Sequence, residues 1–114
     1  MQKTDIEDLE RTIKQAQADV DFGRLIQRLK SNRDFQKVVL EGYFREEAVR
    51  LVHLKTGPNM QAAHIQAAIL RDIDAIGAFQ AYLNAALVKA DRSSDSITST
   101  EEMLAEARAE AVGD

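Results

Sequence analysis

Apolar residues recur along this chain at the three- and four-residue spacing of an α-helix, and almost nowhere at the spacing of a strand. The first stripe is Ile6, Leu9, Ile13, Ala16 and Val20. Thr4, Asp5, Ile6 and Glu7 fit a capping box, in which the hydroxyl and the carboxylate each satisfy an orphan amide, so a helix is expected from there to about Ala18. The stripe is coiled-coil-like but only about two heptads long, and such a helix is marginal alone in water. It therefore docks on its own domain or pairs with a neighbouring subunit. Asp21 can cap a short second helix to about Lys30, with Phe22, Leu25, Ile26 and Leu29 on its apolar face. Ser31 and Asn32 then break and recap the chain.

A third helix is expected over about 33–55. Lys37, Glu41 and Arg45 form an i, i+4 charged row, and Glu46 with Arg50 repeats the pairing, which argues for continuity through the weak position Gly42. Phe35, Val38, Val39 and Val49 share one face at α-helical spacing, with Leu40, Phe44 and Leu51 roughly opposite, so this helix should be buried on two sides. Thr56, Gly57, Pro58 and Asn59 are the clearest punctuation: Gly follows a helix end, Pro forbids continuation, and Asn can cap the next helix. The fourth helix should run over about 60–90. Ile65, Ile69, Ile73, Ile76, Leu83 and Leu87 form its stripe, widened by Phe79, Tyr82 and Ala86, and its charged residues between Gln61 and Val88 are only Arg71, Asp72 and Asp74. Such a helix belongs at the centre of a fold.

Asp91, Arg92, Ser93, Ser94, Asp95 and Ser96 read as a hinge or loop. Ser99, Thr100, Glu101 and Glu102 fit a second capping box, and Ile97, Leu104, Ala107 and Ala111 lie at helical spacing beyond it. The expected fold is all-α: a long antiparallel helical hairpin, a short helix packed near its start, and helical arms at either end. The chain divides into three segments: an acidic arm over 1–21, a hairpin core over 22–92, and an acidic hinge with a last helix over 93–114. The residues expected in the core or at an interface are Phe35, Val39, Leu51, Ile69, Ile73, Ile76, Phe79 and Leu83.

Composition sharpens this picture in three places. Aromatics are 5% of 114 residues, so any core is built from aliphatic side chains. Cysteine is absent, which removes disulfides and thiolate chemistry. The N-terminal stretch has no apolar signal-peptide core, and the uncharged run over 75–88 holds Gln80 and Asn84 and is too short to span a bilayer. A soluble protein made in the cytosol, with no membrane partner, is expected.

Charge changes the picture more. The net charge of −4 divides into −3 over residues 1–21, +4 over 22–40, zero over 41–92 and −5 over 93–114. Two acidic arms thus flank a chain with one basic segment, Arg24, Arg28, Lys30, Arg33 and Lys37. That segment could contact an acidic protein surface, dock a phosphate backbone, or remain a solvated face. No recognition-helix pattern or aromatic stacking platform accompanies it, and the overall negative charge opposes broad nucleic-acid affinity.

Catalytic chemistry finds little support. His53 and His64 flank the Pro58 turn and could face each other, but two imidazoles without cysteine or an H-E-x-x-H pattern fall short of a zinc site. Asp72 and Asp74 point about 200° apart on a helix and cannot share a ligand. Arg71 should pair with a carboxylate on a neighbouring helix. No cofactor, metal or catalytic residue is expected, and the chain does not read as an enzyme.

Arg50, Leu51, Val52, His53 and Leu54, then Gly57 and Pro58, then residues 69–76 (Ile, Leu, Arg, Asp, Ile, Asp, Ala, Ile) resemble a class of small all-helical proteins encoded by tailed phages. The resemblance covers residues 34–83, somewhat under half of the chain. It implies a virion or head-assembly component, located in the virion or the host cytoplasm. Such a protein would bind copies of itself as a homo-oligomer or a larger phage structural protein of capsid or portal type. The alternative is a small regulatory or packaging factor that touches nucleic acid through residues 24–37.

Overall fold

A computed structural model describes the backbone of residues 3–113 and the side chains of residues 5–113. Among them there is no strand: the chain is all-α. Helix α1 spans Lys3–Ser31. One turn of α2, Arg33–Phe35, runs on as a π-helical stretch over Gln36–Glu47 and then as α3, Ala48–Lys55. A 3-10 turn at Pro58–Met60 leads into α4, Ala63–Gly113. The chain forms two compact units, Gln27–Ala85 and a second made of the residues up to Ile26 with those from Ala86 onward.

In the unit Gln27–Ala85 the expected break after α1 is present. Asn32 is extended, with ψ 130°, and its Oδ1 accepts the Phe35 N–H at 2.9 Å. Gln36 adds a second tie, donating from Nε2 to the Lys30 carbonyl at 2.8 Å. The hairpin turn also stands where its residues predicted it. Gly57 keeps an ordinary φ of −65°, so its role is room: a Cβ there would lie 3.2 Å from the Leu54 carbonyl. Helix α4 starts later than expected. Asn59 sits within the 3-10 turn, and the Ala62 carbonyl takes the first N–H groups, of Ile65 and Gln66, at 3.0 Å each. Two glutamines instead tie down carbonyls at the end of α3 and in the turn. Gln61 Nε2 donates to the carbonyls of Lys55 and Gly57 at 3.0 and 2.8 Å, and Gln66 Nε2 to those of Lys55 and Met60 at 2.9 and 2.7 Å. Orphan carbonyls at a helix end need such partners.

The π-helical stretch is the main departure from the expected α-helix over 33–55. Its hydrogen bonds close over five residues instead of four, so the turn widens and each residue rotates by less than the α-helical step of about 100°. Adjacent side chains then point in directions somewhat closer than in an α-helix. Adjacent Tyr43 and Phe44 both pack on the core, and the Phe44 and Phe79 rings meet tilted at 57° with centroids 5.4 Å apart. The face predicted from Phe35, Val38, Val39 and Val49 does not persist: Phe35 and Val39 are half-buried while Val38 and Val49 are exposed. The core of this unit is Leu51, Ile69 and Ile76, with Ile65, Ile73, Leu54, Met60 and Ala48 packed around it.

The second unit pairs the first part of α1 with the last part of α4. Glu10 meets Arg108 at 3.1 Å, Asp19 meets Lys89 at 3.5 Å and accepts from the Ser93 hydroxyl at 2.9 Å, and Gly23 lies against Ala90. Rising numbers along α1 meet falling numbers along α4, so the two helices are antiparallel. Of the stripe predicted from Ile6 to Val20, Ala16 is buried and the rest half-buried; of the face expected from Phe22, Leu25, Ile26 and Leu29 only Ile26 buries, beside Gly23; from α4, Leu104 and Ala107 bury while Ala111 is exposed. The first arm therefore docks within its own chain.

Three expected boundaries are absent. Asp21 caps nothing, since α1 runs through it; its carboxylate accepts from Gln17 and Arg24 on the helix surface instead. The serine-rich run over 91–96 is uninterrupted helix, and Thr100 of the expected second capping box is a buried mid-helix residue. Helical context outweighs the cap preference of Ser, Thr and Asp when the flanking turns are held by packing. The segment limits at 21 and 92 accordingly fall inside continuous helices. The Thr4 capping box rests on a side chain outside the described residues.

Gly23 is the tightest approach in this unit, because a Cβ there would overlap that of Ala90. Gly23→Ala should therefore destabilise the α1–α4 pair by about 1–3 kcal/mol, despite the better helix propensity of alanine. A thermal melt followed by circular dichroism tests this; a raised melting temperature would show that the helices have room to spare.

Candidate interaction groove

The unit Gln27–Ala85 carries an open groove of about 600 Å³. Its apolar walls are Val38, Val39 and Tyr43 from the π-helical stretch, Leu51 from α3, and Ala75 and Ile76 from α4. Val38, Val39, Gly42 and Tyr43 stand at i, i+1, i+4 and i+5, so one side of the helix carries all four. Gly42 leaves part of that surface without a side chain, and a Cβ there would stand only 3.1 Å from the Lys37 carbonyl.

Charge borders the groove. Glu47 and Asp72 line it. Arg50 forks onto Glu47 through Nε at 3.1 Å to each carboxylate oxygen and through its Nη2. The pairing is thus with Glu47 at i, i+3, and not with Glu46 as the i, i+4 pattern suggested. The hydrogen bond from Arg50 holds the Glu47 carboxyl below its ordinary pKa, and Glu47, with a smaller contribution from Asp72, holds Arg50 more firmly protonated. A depressed carboxyl pKa adds stability that is present above the ordinary carboxylate range and disappears as pH falls through the folded value. The stability difference between the native chain and Glu47→Gln should accordingly be present at neutral pH and close on acidification. Melting temperatures of both from pH 7 downward check this, and a difference independent of pH would contradict it.

The predicted core residues separate into two groups. Leu51, Ile69, Ile76 and Leu83 are buried, and Ile73 packs on the core at partial exposure. Phe79 is 37% exposed, held mainly by the Phe44 and Tyr43 rings, and Phe35 and Val39 are half-buried. Tyr82, expected to widen the α4 stripe, is exposed.

The basic residues do not converge on one cationic surface. Arg24 pairs with Asp21 at 3.4 Å, and Lys37 with Glu41 at 3.8 Å. Arg33 and Lys37 share a polar cleft, but Asp34 and Glu41 line the same cleft and balance them. Lys30 is half-buried, and Arg28 is exposed with no ion pair among the described residues. Arg71 is likewise exposed, and among the described residues it lacks the carboxylate partner expected for it. His53 and His64 are both exposed, and no group of three or more His, Asp or Glu among the described residues is placed to hold an ion. No described helix is long and apolar enough to cross a membrane.

The α-helical pattern already put Val38 and Val39 on one face, but did not tell that this face stays open as a groove. The signal available was Gly42 with two valines and two aromatics within seven residues, a density that one α-helical face cannot bury.

No family of known proteins matches this chain, and neither a curated protein nor a solved structure matches it.

Proposed function

We propose that this chain is a non-enzymatic assembly subunit of the kind tailed phages encode, binding copies of itself or a larger structural protein of capsid or portal type. The observation that carries the reading is the apolar groove of the unit Gln27–Ala85, open to solvent and bordered by the exposed side chain of Val38. Val49 and Val52 of the adjoining α3 are exposed as well. Apolar surface left open in a small protein marks a place where another protein sits. The resemblance of residues 34–83 to small helical phage proteins supports the same reading and supplies the phage setting, in virion or host cytoplasm.

Absolute mass by light scattering after size exclusion, across concentration and salt, is the test. A mass above the monomer that rises with concentration is the expected result. A monomer at every concentration, which also fails to bind purified capsid or portal protein, would overturn the reading.

The nucleic-acid alternative gains nothing from the geometry, because the carboxylates of Asp21, Asp34 and Glu41 stand beside three of the five basic groups. A labelled duplex should run unshifted at low salt. A salt-sensitive shift weakened by Arg24→Gln with Arg28→Gln would replace assembly by phosphate contact.

A further inference from the structure

The assembly reading names no surface for the partner, and helix α1 offers one. Phe22, Leu25 and Leu29 lie at i, i+3 and i+7 on α1, so they form one ridge. They are 41%, 49% and 42% exposed, although the buried face of the same helix is occupied by Gly23 and Ile26. Arg28 flanks this ridge, one helical step from Leu29 and three from Leu25, and it has no ion pair among the described residues. In the groove the complementary condition holds. Its walls are apolar, and Asp72 stands at its edge, exposed, without an ion pair among the described residues. Glu47, the other carboxylate of the groove, is already engaged by Arg50.

We infer that the groove of one copy receives the Phe22–Leu25–Leu29 ridge of a second copy, with Arg28 of the incoming helix paired to Asp72. This inference rests on the assembly reading and names its partner. A helix laid in an apolar groove uses anchors at this i, i+3, i+7 spacing. The charge pair fixes register and direction, and a helix entering reversed or slipped by a turn would leave Arg28 uncompensated in a partly dry contact. Ridge and groove are different surfaces, so a two-fold dimer closes two such contacts and a head-to-tail ring closes more.

The test is a charge-reversal cycle on the full chain, read as the dissociation constant of self-association from light scattering or sedimentation. All the positions changed are exposed, and circular dichroism should show unchanged helicity. Arg28→Glu and Asp72→Arg should each weaken association by about tenfold or more, and the two together should restore it. Leu25→Asp should abolish it, since it places a charge at the middle anchor. Assembly that persists unchanged through both single reversals, or a double variant as weak as the singles, overturns this contact and leaves the assembly reading intact. A native chain that stays monomeric also overturns it, and the broader reading then falls only if capsid and portal binding are absent too.

Discussion

Leu51→Ala is expected to lower the stability of the unit Gln27–Ala85 by about 2–5 kcal/mol, the range for removing a fully buried leucine side chain. Leu51 is the largest fully buried side chain among the described residues, 2% exposed, and it touches the two other core members, Ile69 and Ile76. The expected value sits in the lower half of that range for a structural reason. Leu51 also lines the groove, so the space left by truncation opens towards solvent instead of becoming a sealed void. Ile69→Ala removes a side chain that does not line the groove and leaves a closed cavity; it should cost more. Both tyrosines, Tyr43 and Tyr82, belong to this unit, so urea unfolding followed by tyrosine fluorescence reports it directly. A loss below about 1 kcal/mol for both variants would mean that the cluster is not the core.

The second large effect concerns the serine-rich run of α4. Ser94→Pro should destabilise the α1–α4 pair by about 3 kcal/mol or more, because proline removes a helical N–H and its ring meets the carbonyl four residues back. Ser94 lies in unbroken helix beside Ser93, whose hydroxyl donates to Asp19 on the paired helix. A kink there would draw apart the contacts of Asp19 with both Lys89 and Ser93. Ser94→Ala is the control and should be neutral or slightly stabilising, since Ser94 is exposed and alanine is the better helix former. Helicity by circular dichroism should fall for the proline variant while the tyrosine signal of the other unit persists. Equal stability of the two variants would restore the hinge that composition suggested.

How much of this could be seen in the sequence differs by element. The stripe of Ile65, Ile69, Ile73, Ile76, Leu83 and Leu87 is the face that α4 buries wholly or in part, because apolar spacing reports the side a helix turns to its neighbours. The Asn32 break and the Gly57–Pro58 turn were legible for the same kind of reason, since each residue acts locally on its own backbone. The boundaries at Asp21 and over 91–96 were misleading because Ser and Asp prefer caps only when nothing else holds the helix together. Here Ala16, Gly23, Leu104 and Ala107 do so from either side. The groove was hidden most thoroughly. Helical spacing put Val38 and Val39 together, but spacing does not tell whether a face is covered or left open, and nothing in it announced twelve residues of π-helical turn. The charge asymmetry was visible, but not which charges would find local partners: Asp21 and Glu41 neutralise residues that the linear pattern had left as a basic cluster.

The pairing of Glu10 with Arg108 spans 98 positions of sequence, whereas the hairpin around Gly57 closes over a few. Loop-closure entropy makes such distant contacts slow to form, and folding rates fall as contacts become less local. The unit Gln27–Ala85 should therefore fold early, while α1 up to Ile26 waits with Ala16 and its neighbouring apolar side chains uncovered. On the ribosome that wait lasts until residue 108 has emerged, several seconds at ordinary synthesis rates of about 5–20 residues per second. During it the nascent chain presents an unpaired amphipathic helix, which is the form in which chaperones or already finished copies would meet it.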